Sequence, residues 1–142
     1  MRTIALAALI VASAVPACAH AADAGPASLT LTFETGAQTG AVMVALFDSE
    51  AAYSGGAPLR QARIDVAGGE RSAVFAGLPD GTYAARAFHD VNGNGRMDTN
   101  PFGQPTEPYA FSNNARGNMG PAGWDRAHFS IEGRTTQTIA IR

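Results

Sequence analysis

The 142-residue sequence predicts an all-β protein: an antiparallel β-sandwich, immunoglobulin-like or transthyretin-like, of about seven strands. Three observations predict it. Short runs of alternating or continuous apolar residues recur at close spacing. Clusters of Gly, Pro, Asn and Asp punctuate them, and no stretch repeats at the 3.6-residue period of an amphipathic helix. One long irregular loop, residues 89–123, interrupts the pattern.

The strands follow in order. "SLTLTFE" (28–34) sets Leu29, Leu31 and Phe33 on one face and threonines on the other, the alternation of a half-buried strand. After the turn "TGAQTG" comes "AVMVALFD", apolar on both faces, which suits a central strand. "SEAAYSGGAPL" reads as a connection with one helical turn. "QARIDVAG" and "RSAVFAG" flank a "GGE" turn and read as a hairpin. "GLPDGTYAARAF" turns at Pro79 and Gly81 into a strand centred on 83–88, and Tyr83 is expected to bond back to backbone as a corner tyrosine. "RAHFSIEG" and "TQTIAIR" close the chain as a second hairpin-like pair.

Ahead of these strands, Arg2, the apolar run "IALAALIVASAV" and the small-x-small site Ala19–Ala21 make residues 1–21 a secretory signal peptide. The run is too short for a permanent membrane span. The alternative is a lipoprotein signal anchored at Cys18. Cleavage after Ala21 leaves residues 22–142, the length of a single sandwich domain, in the periplasm or outside the cell. It also removes the only cysteine, which excludes disulfides, thiol nucleophiles and thiolate metal sites. All ten basic residues are arginine, so Schiff-base chemistry is excluded. Without Arg2, nine scattered arginines face twelve acids, a net charge near −3, and no basic cluster offers a footprint to nucleic acid. The mature chain has no second long apolar run.

The irregular loop carries the chemistry. In "HDVNGNGRMD" (89–98), Asp90, Asn92, Asn94, Arg96 and Asp98 fall at positions 1, 3, 5, 7 and 9 of a calcium loop, with Gly95 at the sharp turn. Alternate side chains then aim hard oxygens at one centre, and Arg96 contributes its backbone carbonyl. Position 12 is Pro101 instead of glutamate, and no helices flank the loop, so this is no EF-hand; Glu107 is the candidate for the missing carboxylate. The expected cofactor is Ca²⁺, bound weakly, at about 10⁻⁴–10⁻³ M. The competing reading is a succession of Asx turns.

Two further constellations are open to functional readings. His89, with Glu107, Asp90 or His128, is the candidate catalytic group of a metal-assisted or His/Glu hydrolase, although no nucleophile elbow and no H-x-x-x-H spacing accompanies it. Tyr109, Phe111 and Trp124 are either an aromatic platform for a carbohydrate or peptide, or a plug over an open end of the sandwich. "FSNNARGNMGP" (111–121) holds a second polar site or simply turns repeatedly.

The stretch "GLPDGTYAARAFHDVNGNGRMDTNPFGQPTEPYAFSNNARG", with "GPAGWDRAHF", resembles an uncharacterised family of small exported bacterial proteins, domain of unknown function 2141. Its hallmark run is G-x-Y, H-D-x-N-x-N-G, D-x-N, F-G-x-P-x-E and F-S-N-N. His89, Asp90, Asn92, Asn94, Gly95 and Asp98 match the central motif. Phe102, Gly103, Pro105, Glu107, Phe111, Ser112, Asn113 and Asn114 match its second half, while Pro108 and Ala110 stand where glycine is expected. The resemblance implies export and a sandwich-like fold, and no established activity. The Pro79–Tyr83 turn followed by an N-x-N-G loop also looks like calcium-binding β-sandwich modules of bacterial surface proteins. The leading expectation is an exported, non-enzymatic sandwich whose Ca²⁺-ordered loop presents a surface to a carbohydrate, a peptide or an envelope protein. The alternatives are the hydrolase and a structural envelope protein without a ligand.

Overall fold

The computed structural model describes residues 25–142; the expected signal peptide and Cys18 lie outside the described residues. The described residues are mostly β, eight strands in two sheets with two short α-helices and a 3-10 turn at Ser112–Asn114. The strands are β1 (Ala27–Glu34), β2 (Ala41–Phe47), β3 (Arg60–Asp65), β4 (Ser72–Leu78), β5 (Gly81–Asp90), β6 (Tyr109–Phe111), β7 (Phe129–Ile131) and β8 (Arg134–Ala140). Helix α1 (Glu50–Gly55) follows β2, and α2 (Trp124–Ala127) precedes β7. One sheet has the order β4-β1-β8; the other runs β3-β2-β5-β6, with β7 pairing the start of β5.

The core lies between the sheets and is made by the period-two pattern. Leu29, Leu31 and Phe33 of β1 face Val42, Val44 and Leu46 of β2 and Tyr83, Ala85 and Ala87 of β5 in one buried cluster. Ile64, Phe75, Ile131 and Ile139 are among the residues that extend it. The Tyr83 hydroxyl donates to the carbonyl of Pro79 at 2.7 Å, the corner bond expected from "PDGTY".

Three pairings differ from the sequence expectation. β3 and β4 are not a hairpin: β3 pairs β2 and β4 pairs β1, so the "GGE" turn crosses between sheets. β7 and β8 do not pair with each other either, because β7 joins β5 and β8 joins β1. That last pairing is parallel, from Ser28↔Arg134 to Glu34↔Ala140, so the sandwich is not wholly antiparallel. The local turns are as expected. What differs is the destination of each strand, which is chosen by the sheet that can bury its apolar face. The eighth strand, β6, lies inside the segment expected to be one irregular loop.

Helices α1 and α2 cover part of the outer face of the five-stranded sheet. Ser49 caps α1, accepting from the Ala52 amide at 3.3 Å. Tyr53 of α1 packs edge-on against Phe47 and Trp124, with centroids 5.5 and 5.8 Å apart, and its hydroxyl donates to the Ala122 carbonyl at 2.8 Å. Phe111, Ala84 and Ala127 complete this second cluster. A plug thus covers part of a sheet face and not an end of the sandwich; of the expected Tyr109, Phe111 and Trp124 it includes the last two, while Tyr109 stays outside it.

Candidate functional site

The register of β2, β3, β5 and β6 sets out two rows of outward side chains across the sheet: Arg63, Met43, Phe88, Tyr109 and Gln61, Ala45, Arg86, Phe111. The helices reach the second row, where Phe111, Ala45 and Arg86 pack against the plug, and leave the first row uncovered. The long segment leaves β5 at Asp90 and returns at Tyr109, so it rises beside the first row. The chain after β6 rises beside the second. Between the two lies an open trough of about 1290 Å³, walled by Gly95, Met97 and Gly103–Pro105 on one side and by Gly117 and Met119–Pro121 on the other.

The chain has four methionines, the initiator included. The other three, Met43, Met97 and Met119, all line this trough, from the floor and from both walls. Phe88, Tyr109 and Phe111 give the floor aromatic surface, and the last two meet edge-on at 5.8 Å. Met119 and Phe102, beside the trough wall, are almost fully exposed. Methionine and aromatic side chains gathered on an uncovered sheet face make an adaptable apolar surface.

The first wall is built by side-chain oxygens. Asp90 is buried and accepts from three backbone amides: Gly93 and Asn94 on Oδ1, at 2.9 and 3.1 Å, and Gly95 on Oδ2 at 2.7 Å. Glu107 accepts from Val91 at 3.0 Å and Asp98 at 3.2 Å, closing the loop on itself. Gly95, at φ +82°, takes the left-handed conformation this curl requires. Asn92 and Asn94 each accept from the backbone two residues on, as Asx turns. Their amide groups donate to the Asp98 carboxylate at 2.5 to 2.9 Å. Those bonds, Asn94 first, hold the Asp98 carboxyl below its ordinary range.

Side-chain hydrogen bonds join Asn92, Asn94 and Asp98, whereas both Asp90 oxygens are taken up by backbone amides. Their donor types fit a hard cation. Glu107, offered as the distant carboxylate, braces Val91 and Asp98, and Asp98 is the carboxylate whose partners are side chains alone. Beyond it the segment forms a small hairpin, bridged at Thr99 and Pro105, with Phe102 at its tip.

The other expected site residues separate. His89 is fully buried beneath the loop; its Nε2 lies 2.6 Å from the Thr39 carbonyl and so carries the proton, leaving Nδ1 without a partner among the described residues. No hydrogen bond joins it to Glu107, and His128 lies on α2's C-terminal cap, not in a strand, stacked on Trp124 at 5.7 Å. Trp124 packs on the plug and does not line the trough, Phe111 belongs to both, and Tyr109 lies in the trough alone. "FSNN" is a staple. Ser112, fully buried, accepts from Ala85 and donates to Ala127, while Asn113 and Asn114, both at positive φ, bond α2 and β8.

Arg86 is the residue that sequence reasoning missed. Its guanidinium lies 4.1 Å from the Tyr53 ring centroid, and its Nε is buried without an acceptor among the described residues. Burial pushes the Tyr53 hydroxyl up, against the opposing pull of Arg86. The one ion pair among the described residues joins Arg126 to Asp125 on the surface, so no carboxylate neutralises Arg86. A lone arginine within an alanine-rich strand carried no pattern that could single it out.

A family profile described as "Uncharacterized protein conserved in bacteria (DUF2141)" matches residues 34–139. The chain belongs to the DUF2141 family. The match spans the trough, its two walls and the plug, including the Asp90–Glu107 wall and the "FSNN" staple. No curated protein matches the chain.

Proposed function

We propose that this DUF2141 protein is an exported, non-enzymatic binding module that takes its ligand in the trough on the outer face of the five-stranded sheet. The observation that carries this reading is the convergence of all three internal methionines with Phe88 and Tyr109 on the part of the sheet face that the plug leaves open. A purely structural envelope protein has no need of such a surface, and natural monomers rarely leave one without a use. The test is Nile red, an uncharged apolar dye. Its fluorescence is expected to rise on the folded protein and to fall back when Met43→Glu puts a charge in the floor. Dye that binds both forms equally would remove the trough from the proposal.

Ca²⁺ belongs to the same reading, as the ion that holds the 90–107 wall. Supporting it are the D-x-N-x-N-G spacing and the clustering of Asn92, Asn94 and Asp98 side chains above Asp90 in one curl. Binding would require Asn92 and Asn94 to release Asp98 and turn their carbonyl oxygens toward the ion. This cost accords with the weak affinity that two carboxylates and two amides allow. At ten times Kd, free Ca²⁺ adds about 1.4 kcal/mol to stability. A thermal melt in millimolar Ca²⁺ is expected above one in chelator, with the difference lost in Asp98→Ala. Superimposable melts would remove the ion and leave the trough untouched.

A further inference from the structure

We infer that the trough is built for an extended peptide whose apolar residues are interspersed with acidic side chains. The inference rests on the trough being the binding surface and deepens that reading by naming the ligand's chemistry. Charge is the first argument. The trough is lined by Arg63 and Arg86 and by no aspartate or glutamate, in a chain with more acids than bases. It continues past β6, sharing Tyr109, Phe111 and Gly117 with a smaller depression of about 420 Å³ lined by Arg116 and Arg142 with only Glu34 opposed. Four arginines therefore follow one path across an acidic molecule.

Arg86 supplies the second argument. Its guanidinium is positioned by the Tyr53 ring, no carboxylate of the described residues pairs with it, and its buried Nε lacks an acceptor. An arginine held in this way can donate from its two terminal amino groups to a carboxylate in fork geometry. Shape supplies the third. The floor crosses four strands spaced about 4.8 Å apart, a span of about 14 Å, which an extended chain covers in four or five residues. The β3 end is a free sheet edge and the β6 end runs on into the second depression, so a chain can pass through instead of ending there. The side chains of Gln61 and Gln104, with the backbone of the glycine-rich walls, offer partners for peptide groups that an alkyl chain would not use.

The experiment titrates the purified protein with a fluorescein-labelled, end-blocked pentapeptide Leu-Glu-Phe-Glu-Leu, its Gln-for-Glu counterpart and its Lys-for-Glu counterpart. The acidic peptide is expected to bind at least about tenfold more tightly than the amide form. The lysine form is expected not to bind, and the affinity should fall with added salt. Arg86→Gln should erase the preference for acid; Arg63→Gln, on an exposed strand position, should reduce it without touching the plug. Near-UV circular dichroism checks that both variants are folded. Equal binding of acidic and amide peptides, or an unchanged preference in both variants, overturns the proposal. Nile red displaced by none of the peptides overturns the peptide ligand alone, whereas loss of Nile red binding itself would take the trough reading with it.

Discussion

Asp90 is the residue on which the long wall turns. It is buried, yet its charge is met by three backbone N–H groups, and Asp90→Ala would leave all three without their acceptor. Bonds to a charged acceptor are each worth about 1.5–3 kcal/mol, and water can replace part of that at a loop. A loss of about 2–3 kcal/mol is expected, read as a lower urea midpoint. Asp98 bears on pH. Its folded pKa lies below the ordinary 3.8 because the Asn94 and Asn92 amides favour the ionised form. Its contribution is therefore present above the unfolded value and is lost as pH falls through the lower, folded one. A carboxyl NMR titration of Asp98 should find a midpoint under 3.8, moving back toward it in Asn94→Ala. Both aspartates were legible, because D-x-N-x-N-G constrains a local curl. Arg86 and Met43 were not, because their importance depends on which residues stand beside them across the sheet.

Among the elements, the plug is the most exposed to a single change. Tyr53 fills the space between Phe47 and Trp124 and bonds Ala122, so Tyr53→Ala should cost about 3–5 kcal/mol, and Tyr53→Phe, which loses only the hydrogen bond, about 1 kcal/mol. Thermal or urea unfolding distinguishes the two. Strands β1, β2 and β5 were readable from alternation and length. β6 and α2, at three and four residues, are shorter than any period that could announce them, and they exist because Ser112, Asn113 and Asn114 tie them to β5, β8 and each other. The expected β7–β8 hairpin fails for a related reason. A turn such as Glu132–Gly133 reports that the chain bends, whereas the pairing partner is set by the apolar faces waiting in each sheet.

At the scale of the whole molecule, the parallel β1–β8 pair closes the smaller sheet, and β8 carries Ile139 into the core, followed by Ile141. Removing residues 134–142 would strip β1 of one ladder and expose both isoleucines' former neighbours. The expected outcome is loss of the cooperative thermal transition, with no smaller stable core remaining. Much about the molecule follows from local pattern: strand positions, the Tyr83 corner, the inward rows of β1 and β2, and the oxygen-rich curl at 90–98 need only neighbours in the chain. The assignment of strands to sheets, the parallel pairing and the plug required the folded state. So did the trough, which Met43, Met97 and Met119 line although they stand far apart in sequence. Period and turn chemistry act over a few residues, whereas burial is decided among all the strands at once, and the surface left uncovered is what remains after that competition.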